Sequence, residues 1–400
     1  MHKELLFFIA DEKDLSNLFN KVNNKNKSTE NFIIEKKNLM SIREFIDSKG
    51  SVNINSHLNT QILEKEFNKN NKYKEGISFS DFKLTSLIGK GKTANIYLAK
   101  YKNENVALKV IDKLFIYEND MIDKILLEKN ILSSFSEQNF ICQMKFFFMT
   151  KSKICFVLPF FQGGDLFTML RNKGSFDEST TAFYSCQIVQ VISFLHSKNI
   201  LYRDLKPENI MVNNNGYLTL IDFGSCKIIE DKTELQSSFI GSIDYMTPEV
   251  ISGEGHNKMT DWWSFGILIY EMLYGKPPFH DKIIERAFEL ITLSKVRFKP
   301  EKKVDYSTKD IIIRLLKKES SERLGQEGLQ QILNHPFFES IALKRALSLK
   351  MNPPYKPIIG ENIIFNFDLV YTSQLIENFS EIINSNIIKK IDYLFDFFKK

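Results

Sequence analysis

The pattern of apolar and polar positions becomes regular from Phe82 onwards. The segment 82–100, FKLTSLIGKGKTANIYLAK, predicts a strand, a glycine-containing turn and a second strand, and NVALKVID predicts a third strand. In DMIDKILLEKNILSSF the apolar residues Ile122, Ile125 and Leu132 recur with helical spacing. This part of the chain is therefore predicted to be rich in strands, with one helix.

The part that follows predicts fewer strands and more helix. KICFVLPFF (153–161) is typical of a buried strand, STTAFYSCQIVQVISFLHSK (179–198) of a long amphipathic helix, and IMVN and LTLID of two short strands. From there to HPFF (335–338) the pattern is mostly helical. A strand-rich part followed by a helix-rich part indicates an α+β fold with a small strand-rich lobe and a larger helical lobe.

Two stretches rich in Asn and Lys, NNKNKSTEN (23–31) and NKNNKYKEG (68–76), predict linkers or loops before the regular part. Such runs bury too little apolar surface to offset the entropy that ordering them costs. Residues 32–67 between them have some helical pattern but no recognisable chemistry. We therefore treat residues 1–81 as an N-terminal extension of unknown role.

Composition excludes several classes of function. With 43% apolar residues the chain can bury a sizeable core, and a formal charge of +5 from 54 basic and 49 acidic side chains, without a basic stripe, argues against a nucleic-acid partner. The apolar run 5–10 is too short for a signal peptide, and no segment approaches the about 20 apolar residues of a membrane span. The four cysteines have no metal or redox spacing, which favours reduced thiols and a cytoplasmic location.

The stretch Tyr202–Asn209, YRDLKPEN, concentrates three chemically distinct polar side chains. Its proline favours an extended or turn conformation, so that Asp204, Lys206 and Asn209 are predicted to share a rigid loop. A solvated run of charges is the simpler and less favoured explanation of this loop taken alone. The elements around it decide between the two.

Six elements occur in one order, each in a suitable structural context. They are the turn Gly89-x-Gly91-x-x-Ala94 between two strands, Lys109 on the next strand, Glu128 on the following helix, the loop with Asp204, Lys206 and Asn209, the tripeptide Asp222-Phe223-Gly224, and Thr247-Pro248-Glu249. The glycine pattern alone is weak, but the ordered set is strong. Over residues 82–338 the chain resembles the catalytic domain of eukaryotic protein kinases.

The resemblance implies phosphoryl transfer from ATP with Mg²⁺ as cofactor. Lys109, fixed by Glu128, is expected to pair with the α- and β-phosphates, and Asn209 and Asp222 to bind the metal. Asp204 is expected to accept the proton of a substrate hydroxyl, and Lys206 to steady the transferred group. The residues assigned to nucleotide binding are Ile88, Gly89, Lys90, Gly91, Lys92, Thr93, Ala94, Asn95, Ile96, Ala107, Lys109, Glu128, Leu158, Phe161, Asp165, Met211 and Asp222.

Simpler interpretations stand beside these assignments. Glu128 could be an ordinary exposed helix carboxylate, and Ala94, which replaces the third glycine of the usual pattern, could weaken phosphate binding. An inactive kinase-fold docking protein is a further alternative. It would require at least one broken essential position, and none of Lys109, Asp204 and Asp222 is missing.

Other segments resemble the AGC group of serine/threonine protein kinases. These include the spelling YRDLKPEN, FQGGDLF, DWWSFGILIYEML, and RLG before HPFF. Residues 339–400 resemble the AGC C-terminal tail, in which Asn366 and Phe367 match the segment that reaches the adenine pocket. Pro354-x-x-Pro357 in the same region can also be interpreted as an SH3 ligand.

Within that group, GSFDESTTAFYSCQIV, SSFIGSIDYMTPE and HPFFESI are similar to the phosphoinositide-dependent protein kinase subfamily. That resemblance implies that the protein substrates are other AGC kinases, phosphorylated on their activation loops. Two features depart from it: Glu271 is typical of basophilic AGC kinases, and the 62 residues after Phe338 are fewer than the about 100 of a typical domain, so no lipid-binding domain is expected. The alternative is a basophilic effector kinase resembling cyclic-AMP-dependent kinase, in which Asp165, Glu208 and Glu271 recognise upstream basic residues.

The resemblance also implies regulation. Arg203 is expected to meet a phosphate on the activation loop, with Ser238 as the acceptor and Ser237 and Ser242 as alternatives. A small-lobe groove near Lys113, Ile122, Ile125, Lys129 and Ile154 is expected to receive a Phe-x-x-Phe segment. The pair Phe395 and Phe398 fits that spacing, although the stripe from Ile383 to Phe398 is also typical of an amphipathic helix.

Overall fold

The computed structural model describes residues 72–135, 138–229, 242–360, 363–374 and 376. Its small lobe is an antiparallel sheet of five strands in the order β1-β2-β3-β5-β4. The strands are β1 (Lys83–Lys90), β2 (Ala94–Tyr101), β3 (Glu104–Asp112), β4 (Phe146–Met149) and β5 (Lys153–Pro159). All but β4 follow from the sequence pattern. Its four residues FFFM show no alternation, because both faces of this strand are covered.

Both faces of the small-lobe sheet carry a hydrophobic cluster. One face packs against α2 (Ile122–Ser134), which follows the short helix α1 (Lys113–Glu118). The other face carries an aromatic cluster in which Phe82 stacks on Phe148 with ring centroids 5.3 Å apart. This two-sided cover explains why β3 is buried from Val106 to Ile111 without alternation.

The large lobe is mostly helical, as the sequence predicts, and the fold is α+β. Its helices are α3 (Leu166–Lys173), α4 (Glu178–Ser197), α5 (Pro248–Ile251), α6 (Lys258–Tyr274), α7 (Ile284–Leu293), α8 (Tyr306–Leu315), α9 (Leu329–Leu333) and α10 (Leu343–Leu347). Its short strands are β6 (Ile200–Leu201), β7 (Ile210–Val212), β8 (Leu218–Leu220) and β9 (Lys227–Ile228), which pair as β6–β9 and β7–β8.

Helix α6 lies at the centre of the large lobe. Asn257 caps its first turn by accepting a hydrogen bond from the Met259 N–H at 2.7 Å, and Gly275, at φ 73°, ends it in the left-handed conformation. Every residue of the helix from Met259 to Tyr274 is buried. A helix buried on all sides forms a fixed base for the loops that pack on it.

The segment after Phe338 returns along the large lobe to the linker between the lobes. The Tyr217 hydroxyl donates to the Met351 carbonyl at 2.5 Å, and the segment ends in helix α11 (Leu369–Thr372). Residues before Phe82 also contact the small lobe: Tyr73 forms a parallel bridge with Phe147 of β4. Among the described residues, no helix is long and apolar enough to cross a membrane. The four cysteines are buried and form no disulfide.

Candidate active site

The loop Tyr202–Asn209 is held on the large lobe by one buried carboxylate. Asp261 of α6 is 1% exposed and accepts hydrogen bonds from the backbone N–H of Tyr202 at 3.0 Å and of Arg203 at 2.8 Å. The same carboxylate lies 2.7 Å from His196 Nε2. Since a buried carboxylate without partners is costly, these bonds fix the path of the loop.

The structure brings Asp204, Lys206 and Asn209 together. Lys206 Nζ lies 2.9 Å from Asp204 Oδ2, and Asn209 Nδ2 donates to the carbonyl oxygen of Asp204 at 2.8 Å and to its Oδ2 at 2.9 Å. Pro207 begins the 3-10 turn Pro207–Asn209 that places the amide. The charges of Asp204 and Lys206 therefore face each other rather than solvent.

Burial raises the pKa of the Asp204 carboxyl, while Lys206 and the Asn209 amide lower it. Burial lowers the pKa of Lys206, but the Asp204 carboxylate outweighs it and raises the pKa overall. Lys206 therefore stays charged beside a carboxylate of increased basicity. Such a carboxylate can accept a proton from a hydroxyl held next to it.

In the small lobe, Lys109 of β3 joins two carboxylates from distant parts of the chain. Its Nζ lies 2.5 Å from Glu128 Oε1 of α2 and 3.3 Å from Asp222 Oδ1. Lys109 is 7% exposed and Glu128 1% exposed. Glu128 is therefore not a solvated helix carboxylate.

Asp222 differs from its two partners because its side chain is 49% exposed. Lys109 lowers the pKa of Asp222, and the Gly224 N–H donates to the same carboxylate oxygen at 3.3 Å. Burial opposes the charge of Lys109, yet Asp222 and Glu128 raise the pKa of this lysine. Asp222 has a left-handed φ of 55°, unusual for a residue with a side chain, and it is an ionised group with access to solvent.

Backbone contacts join these two groups of residues into one site. The Ile221 N–H donates to the Asn209 carbonyl at 2.9 Å, which sets the residue before Asp222 beside the Tyr202–Asn209 loop. The Tyr202 hydroxyl donates to the Ile221 carbonyl at 2.6 Å. Asp204, Asn209 and Asp222 therefore lie in one connected structure.

The glycine turn keeps its backbone open. A Cβ added at Gly89 would have its nearest neighbour at 3.5 Å, and one added at Gly91 at 3.6 Å. Ala94 is 9% exposed and belongs to the core cluster, so packing accounts for its methyl group. The flanking Lys90 and Lys92 are exposed. The Gly91 N–H donates to the Ala94 carbonyl at 2.8 Å and closes the turn, and an uncrowded turn between two exposed lysines suits an anionic ligand.

The apolar residues assigned to the nucleotide lie around the linker between the lobes. Ala107 of β3 pairs with Leu158 of β5, and Ile96 of β2 pairs with Lys109. Met211 of β7 forms an isolated bridge with Asp165. The partly buried members of the set are Ile88, Ile96, Leu158, Phe161 and Met211.

Two polar residues assigned to the nucleotide, Thr93 and Asn95, lie at the turn and the start of β2. The Asn95 amide donates to the Tyr97 hydroxyl at 3.3 Å.

Asp165 has a structural role that the sequence did not indicate. It caps α3, accepting from the Thr168 N–H at 2.6 Å and from the Thr168 hydroxyl at 3.1 Å. Both oxygens of the Asp165 carboxylate therefore already accept a hydrogen bond from Thr168.

The residues present fit a magnesium-bound nucleotide. Asn209 turns its amide nitrogen towards Asp204, so its amide oxygen points the other way, and Asp222 offers a partly exposed ionised carboxylate. No group of three or more His, Cys, Asp or Glu side chains that could hold a metal ion occurs among the described residues. Mg²⁺ usually binds through one or two protein oxygens together with phosphates and water, as this donor set permits.

The sequence did not predict the positioning roles of two residues, Asp261 and Ser242. Asp261 stands in a largely apolar helix, and an acidic residue at a buried helix position is a signal that could have revealed it. Ser242 accepts a hydrogen bond from Lys206 Nζ at 3.0 Å, and nothing in its local sequence distinguishes it from its neighbours.

The C-terminal segment reaches the linker. Asn366 Nδ2 donates to the Gln162 carbonyl at 2.7 Å, and the Phe367 ring stacks on Phe160 with centroids 5.3 Å apart. Gly164, at φ 71°, allows this approach, because a Cβ there would clash with the Asn366 carbonyl. The same segment therefore borders the nucleotide site.

The regulatory assignments lie partly outside the described residues. Arg203, at φ 68°, is buried and donates from Nε to the Ser225 carbonyl at 2.7 Å, but Ser238 falls in the undescribed range 230–241. The groove residues Lys113, Ile125, Lys129 and Ile154 are buried in the small lobe. Phe395 and Phe398 also lie outside the described residues.

Residues 82–338, which hold the whole site, match the protein kinase domain family. The chain belongs to this family. It is 36% identical to serine/threonine-protein kinase gad8 of Schizosaccharomyces pombe over 75% of this chain and 52% of that protein. It is 36% identical to serine/threonine-protein kinase YPK1 of Saccharomyces cerevisiae (74% and 44%), and 35% identical to serine/threonine-protein kinase Sgk1 of Homo sapiens (75% and 70%). The kinase chain spans about half the length of the two yeast relatives.

These relatives are AGC kinases, in agreement with the resemblance at group level. They do not support the finer resemblance to the phosphoinositide-dependent subfamily, because the similarity lies towards Sgk and Ypk proteins. The segments that suggested that subfamily are short.

Proposed function

We propose that this chain transfers the γ-phosphoryl group of Mg²⁺-bound ATP to serine and threonine hydroxyls of protein substrates. The observation that carries the proposal is the contact of Lys109 with both Glu128 and Asp222, at 2.5 and 3.3 Å. It joins the small-lobe sheet to the loop after β8, and contacts through Asn209 extend the same structure to Asp204. Residues 82–338 then form the catalytic domain and the segment after it a C-terminal tail.

Each residue has a role that its surroundings support. Lys109 binds the α- and β-phosphates with its position fixed by Glu128, and Asp222 and Asn209 hold the metal, which neutralises phosphate charge when bound. Asp204 accepts the proton of the attacking hydroxyl. Lys206, held between Asp204 and Ser242, lies where it can balance negative charge on the transferred group.

The test compares the natural chain with Asp204→Asn. We expect the natural chain to phosphorylate a serine peptide and the variant to lose about 10²- to 10⁴-fold in kcat, the usual contribution of a general base. Nucleotide binding, measured with a fluorescent ATP analogue, should be retained. Equal phosphorylation by both proteins would contradict the role of Asp204. If neither protein phosphorylates the peptide, whether or not it binds nucleotide, the result would favour the inactive docking protein.

For the substrate class, we propose recognition of basic residues upstream of the acceptor. Glu208 is exposed beside Lys206 and can face a basic peptide. Glu271 is buried behind it, where burial and the nearby charge of Glu208 raise its pKa, and it adds negative charge to the same region. A peptide array tests this. Preference for arginine two and three residues before the acceptor supports the effector type, whereas preference for activation-loop peptides with a Phe-x-x-Phe tail would support activation of other AGC kinases instead.

A further inference from the structure

Residues 72–74, just before the catalytic domain, extend the small-lobe sheet. The Lys74 N–H donates to the Phe147 carbonyl at 2.9 Å, and the Phe147 N–H donates to the Lys72 carbonyl at 3.0 Å. These two bonds are the pair expected of a parallel bridge, and they fall on β4, the edge strand of the sheet. An edge strand accepts an added strand through its unpaired backbone groups.

The side chains of this segment contact the same strand and the loop before it. The Tyr73 ring lies 5.3 Å from the Phe147 ring, and Tyr73 packs against the cluster between the sheet and α2. Lys72 Nζ donates to the Met144 carbonyl at 2.5 Å. Burial lowers the pKa of Lys72, consistent with a lysine fixed against the protein.

Two routes lead from these contacts to α2. The Met144 N–H donates to the Leu132 carbonyl in the last turn of the helix at 2.9 Å. Lys129 Nζ, one residue after Glu128, lies 5.3 Å from the centre of the Phe147 ring. Residues bonded to the 72–74 segment are thus in direct contact with the helix that carries Glu128.

A third route leads to Lys109 itself. Phe147 pairs with Phe156 of β5, and their rings meet edge to face at 6.2 Å. Phe156 in turn pairs with Lys109 across β3 and β5. Both members of the Lys109–Glu128 pair are therefore supported by the strand on which Tyr73 packs.

We propose that residues 72–74 act as an added edge strand that holds α2 where Glu128 meets Lys109, with Tyr73 as its positioning residue. The segment lies in a stretch rich in Asn and Lys, and two backbone bonds to the sheet are few for a strand. It can detach while the sheet remains folded. Attachment then sets the fraction of the kinase in which the pair is formed. The kinetic part of this proposal rests on the proposed function.

Two matched pairs of full-length variants test the strand. Lys74→Pro removes the N–H that bonds to Phe147, while Lys74→Ala keeps it and removes only the contact of Lys74 Nζ with the Phe146 ring at 4.0 Å, on the opposite face of the sheet. Tyr73→Ala removes the Tyr73 ring that packs on Phe147, whereas Tyr73→Phe keeps a ring at this position.

The first measurement is hydrogen exchange of the α2 amides, which needs no catalysis. We expect exchange in α2 to rise about three- to tenfold in Lys74→Pro and Tyr73→Ala, because each variant loses one hydrogen bond or one ring contact. Exchange in α4 and α6 should not change. Lys74→Ala and Tyr73→Phe should match the natural chain. Unchanged α2 exchange in all four variants overturns the proposal, as does a uniform rise across both lobes, which would indicate a merely structural role.

The second measurement is peptide phosphorylation. Lys74→Pro and Tyr73→Ala should lower kcat by about the same three- to tenfold factor with an unchanged KM for peptide, and Tyr73→Phe should restore kcat. If α2 exchange rises without any effect on kcat, the inference is wrong. If the natural chain transfers no phosphate, the proposed function fails and the exchange data still test the strand.

Discussion

Asp204 and Asp222 lie in one site, yet their surroundings give them different protonation behaviour. Burial raises the pKa of Asp204, whereas Lys109 lowers the pKa of Asp222. A carboxylate of increased basicity suits proton transfer, and one that stays ionised suits a metal ion. The residue types are identical, so the assignment of roles depends on neighbours that come from other elements of the fold.

A third carboxylate, Glu271, predicts a dependence of substrate selectivity on pH. Burial raises the pKa of Glu271 to about 7, although the hydrogen bond from the Tyr245 hydroxyl lowers it. With a raised pKa, the acid is charged above about pH 7 and neutral below it, while arginine stays charged throughout. We expect the kcat/KM advantage of a peptide with upstream arginines over its alanine counterpart to fall about tenfold between pH 8 and pH 6.

The control for this prediction is Glu271→Gln, which has no charge to lose. Its arginine advantage should be small and flat across the same pH range. An advantage that stays constant in the natural chain, or that varies equally in the Gln variant, would show that Glu271 does not read the basic residues.

At the scale of elements, glycines with left-handed backbones let the C-terminal segment lie against the large lobe. Gly164 meets the carbonyl of Asn366, and Gly216, at φ 89° in the turn between β7 and β8, meets the carbonyl of Tyr355. A side chain at either position would occupy space that the segment now fills. Contact between the C-terminal segment and the large lobe therefore depends on glycines that are more than 130 residues away from it in sequence.

Gly216→Ala should release the segment locally. Gly174 is the matched control: its φ of 81° is similar, but an added Cβ would have no atom within 4 Å. Both substitutions are strained by a positive φ, and only Gly216→Ala also clashes with the Tyr355 carbonyl. We expect hydrogen exchange at residues 351–358 to increase in Gly216→Ala and not in Gly174→Ala. An equal response of the two would attribute the effect to the backbone alone.

The sequence predicted the elements with regular patterns and missed those set by distant contacts. The strand–turn–strand around Gly89 and the helix of Glu128 have local periodicity and were predicted correctly. Strand β4 has no alternation because both its faces are covered, and the bridge at Tyr73 lies in a stretch whose composition predicts a loop. Asp261 and Ser242 gain their roles from a loop that is only close in space.

At the scale of the whole molecule, the two lobes share one hydrophobic cluster, and a polar contact joins them at the site. Lys109 of the small-lobe sheet bonds to Asp222 of the large lobe, and the chain passes between the lobes once more through the linker after β5. A nucleotide bound between the lobes would add contacts to both. Binding should therefore stabilise the molecule as a unit, and the metal should contribute through Asp222 and Asn209.

We expect Mg²⁺-ATP at about 100 times its Kd to stabilise the folded chain by about 2.7 kcal/mol. For a chain of 400 residues that corresponds to an increase in Tm of about 3 to 5 °C. Chelating Mg²⁺ with EDTA should remove part of the shift, and Asp222→Asn should lose this metal-dependent part because its carboxylate is the ionised donor that solvent can reach. Glu322→Gln, which alters an exposed carboxylate 3.5 Å from Lys317, is the control and should keep it. A shift that is the same with and without Mg²⁺ in the natural chain would mean that Asn209 and Asp222 do not hold the metal.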